Sequence, residues 1–153
     1  MTQTVFQTPT ANAVIDYVPQ KQYPSFSVQT NENITLTVAT AGSGVTLTAA
    51  QLLGGLITHD TSSSGRTDTL DTAANIVNAI EGAAVGSTIS FLIRNASAGA
   101  GSITLVAGTG GTLSGTTATS VIPYLQQEQY LLRVTAIGTT PTYTVYGLGL
   151  ITF

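Results

Sequence analysis

Charge is what this sequence has least of. Only 7% of its 153 residues are charged, whereas an ordinary soluble domain carries about 25%. The permanent cations are Lys21, Arg66, Arg94 and Arg133, and with seven acidic residues they leave a net charge of -3. Binding to nucleic acid needs several cations placed against phosphates, so we expect no nucleic-acid partner.

Other absences narrow the chemistry further. There is no cysteine, and histidine occurs once, at position 59, so disulfides and thiolate catalysis are excluded and few catalytic groups remain. No apolar run approaches the roughly 20 residues that span a bilayer, and Met1–Thr4 does not begin a secretory signal. We therefore expect no membrane partner, no cofactor and synthesis in a cytoplasm.

Threonine, serine, asparagine and glycine take the place of the missing charges. Because 42% of the residues are hydrophobic and the mean hydropathy is +0.31, the chain can bury enough apolar surface to fold. Its length fits one domain. We assign that domain to residues 28–153.

Residues 1–27 form a different region, which we interpret as an extended arm. It holds three of the five prolines, and proline disfavours both helix and central strand. A solvated tail would not be expected to carry so many aromatic and β-branched residues, so packing along a neighbouring subunit is favoured over a disordered terminus. The candidate contact residues are Val5, Phe6, Val14, Ile15, Tyr17, Tyr23 and Phe26.

The rest of the chain is predicted to be mainly β. Polar and apolar residues alternate from Glu32 onward and again over Thr88–Arg94, which we expect to form a hairpin with Ser102–Ala107. Further extended segments are predicted at Val45–Leu47, Leu52–Thr58, Gln129–Ile137 and Tyr143–Leu150, although Thr48–Leu53 could equally form a single helical turn. Turn signals every eight to twelve residues favour a jelly-roll-like sandwich or a small barrel.

One short helix is predicted over about residues 72–81. Ala73, Ile76, Val77 and Ile80 follow helical spacing. Asp71 is the expected N-cap, and Gly82 lies where a left-handed C-cap residue belongs.

The candidate catalytic and metal-binding residues are few. His59 and Asp60 precede Ser62–Ser64, but adjacent residues in what we interpret as a solvated loop are poorly placed for a Ser-His-Asp triad. A calcium site from Asp60, Asp68 and Asp71 matches no known ligand loop. No pair among the scattered carboxylates suits glycoside chemistry: Asp16, Glu32, Asp60, Asp68, Asp71, Glu81 and Glu128. We expect no enzyme.

Tyrosine offers an alternative function in carbohydrate binding. Stacking on sugars would use the exposed members of the set Tyr17, Tyr23, Tyr124, Tyr130, Tyr143 and Tyr146. Tyrosine is also common in strands and interfaces for general reasons, so the glycan-binding sandwich stays an alternative.

Several segments together resemble one family. They are Arg66–Leu70, the alanine-rich helix Thr72–Glu81, Gly86–Asn95 and Ile103–Gly110. In style and spacing, over roughly Val45–Gly149, the chain is similar to the small cement, or decoration, proteins of tailed bacteriophage capsids.

The resemblance implies a structural virion protein. Such a protein is often a trimer, seated on the outside of the capsid and bound to the major capsid protein, with its arm reinforcing the shell. The family brings no catalytic residues. A phage tail or baseplate component is the alternative that sequence separates least from this expectation.

Overall fold

A computed structural model of the protein describes residues 33–37, 44–114 and 121–152. The arm over residues 1–27, with all seven of its candidate contact residues, lies outside the described residues. Its predicted extended conformation therefore stays a prediction, as does the boundary of the domain at residue 28.

The described residues form ten strands and two helices. In chain order these are β1 (Asn33–Thr37), β2 (Thr46–Leu47), α1 (Ala49–Gly54), β3 (Leu56–Asp60), β4 (Arg66–Leu70), α2 (Ala73–Ala79), β5 (Thr88–Asn95), β6 (Ile103–Val106), β7 (Gly111–Ser114), β8 (Val121–Ile122), β9 (Gln126–Ala136) and β10 (Thr142–Thr152). The prediction of a mainly β protein is confirmed. No helix within these ranges is long and apolar enough to span a membrane.

The strands make two mixed sheets. The larger has the order β1-β3-β5-β9-β10-β7 and the smaller the order β2-β4-β6-β8. From β1 to β6 the chain alternates between the two sheets, so β1, β3 and β5 pair in parallel in one sheet, and β2, β4 and β6 in the other. One passage of the chain through both sheets and back is one turn. In the first turn Asn33 pairs with Leu56 and Thr46 with Thr69, so paired residues are 23 positions apart in both sheets.

Antiparallel strands complete both sheets. β8 pairs with β6, while β9 pairs with β5 and then with β10. Two packed sheets are consistent with the predicted sandwich, but the jelly-roll detail is not confirmed, because jelly rolls are antiparallel Greek keys and the first six strands here make parallel ladders.

The predicted β5–β6 hairpin is wrong. Ser102–Ala107 does contain a strand, β6, but β6 lies in the smaller sheet between β4 and β8. Alternation along a strand specifies its buried face and leaves its partner strand unspecified. The glycine-rich segment at Ser97–Gly101 therefore carries the chain across to the other sheet.

The two helices begin in the same way, with a threonine N-cap. Thr48 caps α1 and Thr72 caps α2, and each side chain accepts a hydrogen bond from the backbone N–H three residues on, at Gln51 and Asn75. The Thr48 backbone N–H in turn donates to Oε1 of the Gln51 side chain at 2.8 Å, which completes a capping box. The helical alternative for Thr48–Leu53 is thus the right one.

Helix α2 differs in detail from its prediction. Its N-cap is Thr72 rather than Asp71, because the Asp71 carboxylate is used by other groups. It ends at Ala79, since Ile80 adopts an extended conformation and packs against the core. Gly82 does have the expected positive φ, of 65°, but it lies beyond the C-cap.

The core lies between the sheets and under the helices. Phe91 of β5 stacks on Tyr130 of β9 with ring centroids 5.4 Å apart. Helix α1 contributes Leu52 and helix α2 contributes Ile76, both fully buried. The predicted inward face of β5 is confirmed: Ile89, Phe91 and Ile93 are all buried.

Candidate functional site

Half of the charged residues in the described part of the chain are buried inside the protein. The buried polar and charged side chains are His59, Thr61, Arg66, Asp68, Asp71, Asn95, Ser97 and Glu128. Charged side chains are rarely buried unless they have partners, so this cluster is the first candidate for a functional site.

His59 and Asp68 join the two sheets. His59 lies on β3 and Asp68 on β4, both with no solvent-exposed surface, and His59 Nδ1 is 2.7 Å from Asp68 Oδ2. The interpretation of His59 as part of a solvated loop is wrong, because β3 continues through Asp60 and the loop covers only residues 61–65. Because side chains alternate between the two faces of a strand, His59 lies on the same buried face of β3 as Ile57.

The serines after His59 do not complete a triad. Asp60 turns away from the imidazole and accepts a hydrogen bond from the Ser62 backbone N–H at 2.8 Å. Ser62 and Ser63 are exposed and adopt positive φ values. Within the described residues His59 Nε2 has no hydrogen-bond partner, so the arrangement found here is a buried contact between sheets.

Arg66 and Asn95 hold the loops at this end of the sandwich. Both Nε and Nη2 of Arg66 donate to the Thr61 carbonyl oxygen at 3.2 Å. The Asn95 side-chain amide donates to the carbonyl oxygens of Gly101 and Ile122, at 2.9 and 3.0 Å. These bonds fix the two side chains to the backbone of the segments around them.

Asp71 connects the two helices. Its carboxylate accepts hydrogen bonds from the backbone N–H of Ala49 at 2.9 Å, from that of Thr72 at 2.8 Å and from the Asn75 side chain at 2.7 Å. Burial acts to raise the pKa of Asp71, but the three hydrogen bonds outweigh it and hold the pKa below its ordinary value. Because Asp60, Asp68 and Asp71 have separate partners, they do not form the calcium site considered above, and the described residues contain no metal-binding group of three or more His, Cys, Asp or Glu.

Glu128 is a buried acid with one oxygen that has no hydrogen-bond partner. It is fully buried on β9, where its Oε2 accepts the Tyr130 hydroxyl at 2.7 Å, while Oε1 has no partner. Burial raises the pKa of the Glu128 carboxyl above its ordinary value of 4.5, and the Tyr130 hydrogen bond offsets part of that rise. Burial and the adjacent carboxylate together raise the pKa of Tyr130 far above its usual range.

Glu128 should make the protein less stable as the pH rises. A raised native pKa favours folding below about pH 4.5, and this contribution is lost as the pH rises through the native pKa. Each unit of difference corresponds to about 1.4 kcal/mol. Glu128→Gln keeps an oxygen for Tyr130 but removes the titration, so we expect its stability relative to the wild type to increase from pH 4 to pH 8.

Urea denaturation at a series of pH values measures this difference. The orphaned amide of the glutamine adds a penalty that does not vary with pH, so only the pH-dependent part reports on ionisation. If the free energies of unfolding of the wild type and Glu128→Gln differed by the same amount at every pH, the raised pKa of Glu128 would be contradicted.

The tyrosines divide between core and surface. Tyr130 and Tyr143 are buried; the Tyr143 hydroxyl donates to the Asp71 carbonyl oxygen at 3.0 Å and accepts from the Gly108 N–H at 2.9 Å. Tyr124 is exposed and Tyr146 half-buried. Two of the tyrosines considered for glycan stacking are therefore structural, while Tyr17 and Tyr23 lie outside the described residues.

Few charges are left for the surface. In the described residues they are Asp60, which is half-buried, and the exposed Glu81, Arg94 and Arg133. Large apolar side chains share that surface. They are Val85, Leu113, Val121, Tyr124, Leu125, Ile137, Leu148, Leu150 and Ile151.

Sequence reasoning missed the buried polar cluster, although a signal for it exists. His59 is in phase with Ile57, Asp68 with Leu70, and Glu128 with Tyr130. Extending the two-residue period through the polar positions would have placed the side chains of His59, Asp68 and Glu128 on the inner faces of their strands.

Fold and site together define a mainly β protein of two mixed sheets with buried, hydrogen-bonded polar side chains and, over the described residues, few charges on the surface. Comparison with protein-family models, with curated proteins and with solved structures found no match to this chain.

Proposed function

We propose that the protein is a structural component of a virion that binds the outside of a tailed-bacteriophage capsid and stabilises the shell. It acts as a cement, or decoration, protein, assembled as a homo-oligomer against the major capsid protein. One observation carries the proposal: the described surface is nearly without charge.

Because several charged side chains are buried, the described surface carries less charge than the composition of the chain suggests. Four charged residues are at most 8% exposed and contribute little to the exterior: Arg66, Asp68, Asp71 and Glu128. Surface charge of one sign keeps soluble proteins apart, and this chain has little of it. Such a surface suits a subunit that is covered on several sides by other subunits.

The resemblance to capsid cement proteins, which lies in the style and spacing of residues 45–149, suggests the same function. In this proposal the arm over residues 1–27 runs along or between capsid subunits. An extended segment can bind a sheet edge through main-chain hydrogen bonds while alternate side chains fill pockets, and Val14, Tyr17, Tyr23 and Phe26 are the residues for that role.

Location in the particle tests the proposal directly. Cryo-electron microscopy of virions, with mass spectrometry of their proteins, should place the chain on the outer face of the shell. Density only in the tail or baseplate would favour the alternative component. Absence from purified virions would refute both.

Binding to the shell should resist salt. Between about 0.1 and 1 M salt the Debye length falls from about 10 to about 3 Å, so attraction between exposed charges is largely screened. Contacts made of apolar groups and backbone hydrogen bonds do not weaken in this way. We expect the fraction of protein bound to purified shells to stay unchanged over this range in a co-sedimentation assay.

The matched control is Arg94→Gln with Arg133→Gln, which removes the two exposed cations of the described surface. This variant should bind shells as well as the wild type does. Release of the wild type at moderate salt, or loss of binding in the variant, would show that charge drives attachment.

A further inference from the structure

Three buried side chains where β3 leads into β4 match the parts of a nucleophilic catalytic group. Asp68 Oδ2 is 2.7 Å from His59 Nδ1, and because a carboxylate only accepts hydrogen bonds, the neutral imidazole has its lone pair on Nε2. Neither His59 Nε2 nor the Thr61 hydroxyl has a hydrogen-bond partner in the described residues, although both are buried. An unpaired nucleophile, an unpaired base and a group that orients the base are therefore present together.

Thr61 is the hydroxyl residue that the fold places beside His59. Burial alternates along Ile57, His59 and Thr61, and residues two apart in an extended chain lie on one face, about 6.6 Å from each other. The Thr61 carbonyl oxygen is held by Nε and Nη2 of Arg66, each at 3.2 Å, and by the Ser64 N–H at 3.2 Å. The position of Thr61 is thus fixed by its backbone, while its hydroxyl is left unpaired.

The backbone directly after Thr61 is strained. Ser62 and Ser63 have φ values of 51° and 65°, in the left-handed region that residues other than glycine rarely enter. Strain of this kind clusters at functional sites. Breaking the peptide bond that precedes Thr61 would let this turn relax.

We propose that Thr61 cleaves its own chain at the Asp60–Thr61 peptide bond. His59 Nε2 takes the proton of the Thr61 hydroxyl, and Oγ1 attacks the carbonyl carbon of Asp60. The C–N bond then breaks and Nε2 returns the proton to the leaving nitrogen, so that an ester joins Asp60 to Thr61 Oγ1. Water hydrolyses the ester, which leaves a carboxyl group on Asp60 and restores the Thr61 hydroxyl beside a new amino terminus.

The surroundings of the bond suit this reaction. The exposed part of the loop, residues 62–65, begins at the next position, so water has a short path to the ester. The reaction consumes the bond on which it acts and happens once in each chain. It goes beyond the proposed role on the capsid and does not depend on it.

The two fragments, 1–60 and 61–153, should stay together after cleavage. Strand β3 of the first fragment pairs with β5 of the second, and β2 of the first pairs with β4 of the second. The contact between His59 and Asp68 also joins the two fragments. Cleavage would therefore change the connectivity of the chain and leave both sheets assembled, so it has to be detected under denaturing conditions.

Intact-mass spectrometry of the denatured full chain gives the test, after incubation at neutral to alkaline pH with and without hydroxylamine. We expect fragments 1–60 and 61–153 to form, and to form faster with hydroxylamine, which attacks esters and leaves a hydroxamate on Asp60. Hydroxylamine also cleaves Asn–Gly bonds, but the sequence contains none. The acceleration therefore reports on the ester.

Variants assign the roles of the side chains. Thr61→Ser keeps the nucleophile and should cleave, whereas Thr61→Val removes it and should stay intact. His59→Gln removes the base and should slow cleavage on the order of 100-fold. Asp68 is a positioning residue, and Asp68→Asn should slow cleavage and move the half-maximal rate to lower pH, since the imidazolium loses its neighbouring charge. The matched control, Ser62→Ala, removes an adjacent exposed hydroxyl and should cleave as the wild type does.

Three results would overturn the proposal: a wild-type chain that stays intact with and without hydroxylamine, cleavage only at another bond, or cleavage that persists in Thr61→Val. Midpoints of urea unfolding show which variants are folded. If Thr61→Val is not folded, the hydroxamate on Asp60 of the wild type decides the question, because only an acyl group activated at Asp60 yields it. A wild-type fragment 1–60 without hydroxamate after incubation with hydroxylamine would contradict the ester.

Discussion

Replacing Asp68 with alanine should destabilise the protein by about 3–5 kcal/mol, because it leaves the buried His59 imidazole without a hydrogen-bond partner and opens a cavity between the sheets. Asp68 and His59 are both fully buried, and in the described residues the contact between them is the imidazole's one hydrogen bond. Without Asp68 both ring nitrogens are left without a partner between the sheets. Equilibrium unfolding in urea measures the change.

Two further variants show whether the pair itself is responsible. His59→Leu with Asp68→Leu removes both polar partners, and we expect it to lie within about 2 kcal/mol of the wild type. Asp60→Ala, on the adjacent strand position, removes one hydrogen bond near the surface and should change stability by about 1 kcal/mol or less. A double variant no more stable than Asp68→Ala would mean that packing at this site, rather than an unpaired polar group, sets the loss.

Asp71→Ala should have the second largest effect, a loss of about 3 kcal/mol at neutral pH. Its carboxylate accepts three hydrogen bonds that tie the beginning of α1 to the beginning of α2, and bonds to a charged group contribute more than neutral ones. Thr72→Ala is the matched control, because it removes the cap of α2 alone and should cost about 1 kcal/mol.

The Asp71 contribution should disappear in acid. Because its native pKa is lowered, the stabilisation is present above about pH 3.8 and is lost as the pH falls through the native value. Asp71→Asn keeps one oxygen acceptor and does not titrate in this range. The wild type should therefore exceed Asp71→Asn in stability at pH 7, and the difference should shrink towards pH 3. An unchanged difference would contradict the role of the charged form.

The sequence predicted local structure better than pairing. Alternation identified β5 and its buried face, and helical spacing identified α2, because both signals come from neighbours along the chain. It did not show that Ser102–Ala107 pairs with β4 and β8. Partner choice depends on contacts between distant residues, which a period of two does not encode.

The sequence also contains a short repeat that marks the beginnings of both helices. Thr48–Leu53 reads TAAQLL and Thr72–Val77 reads TAANIV. Both follow strands that pair with each other, with Leu47 opposite Leu70, and both begin helices capped by threonine. Comparing the two segments would have predicted α1 and a repeating strand–helix unit.

The candidate site was harder to foresee than the fold. His59 and Asp68 are nine positions apart and belong to different sheets, so nothing local links them. Asp71 resembled an N-cap because it stands before a helix. Its actual partners include Ala49, which only the packing of α1 against α2 brings near. The contacts of the arm residues from Val5 to Phe26 stay predictions.

The alternation of the chain between its two sheets has a consequence for how such a protein changes in length. Each turn adds one strand to both sheets, and the first turn advances by the same number of positions in each. Duplication of that segment would enlarge both sheets together and leave the register of the remaining strands intact. A chain that carries such a duplication should therefore be longer by one whole turn in both sheets, with its other strands paired as before.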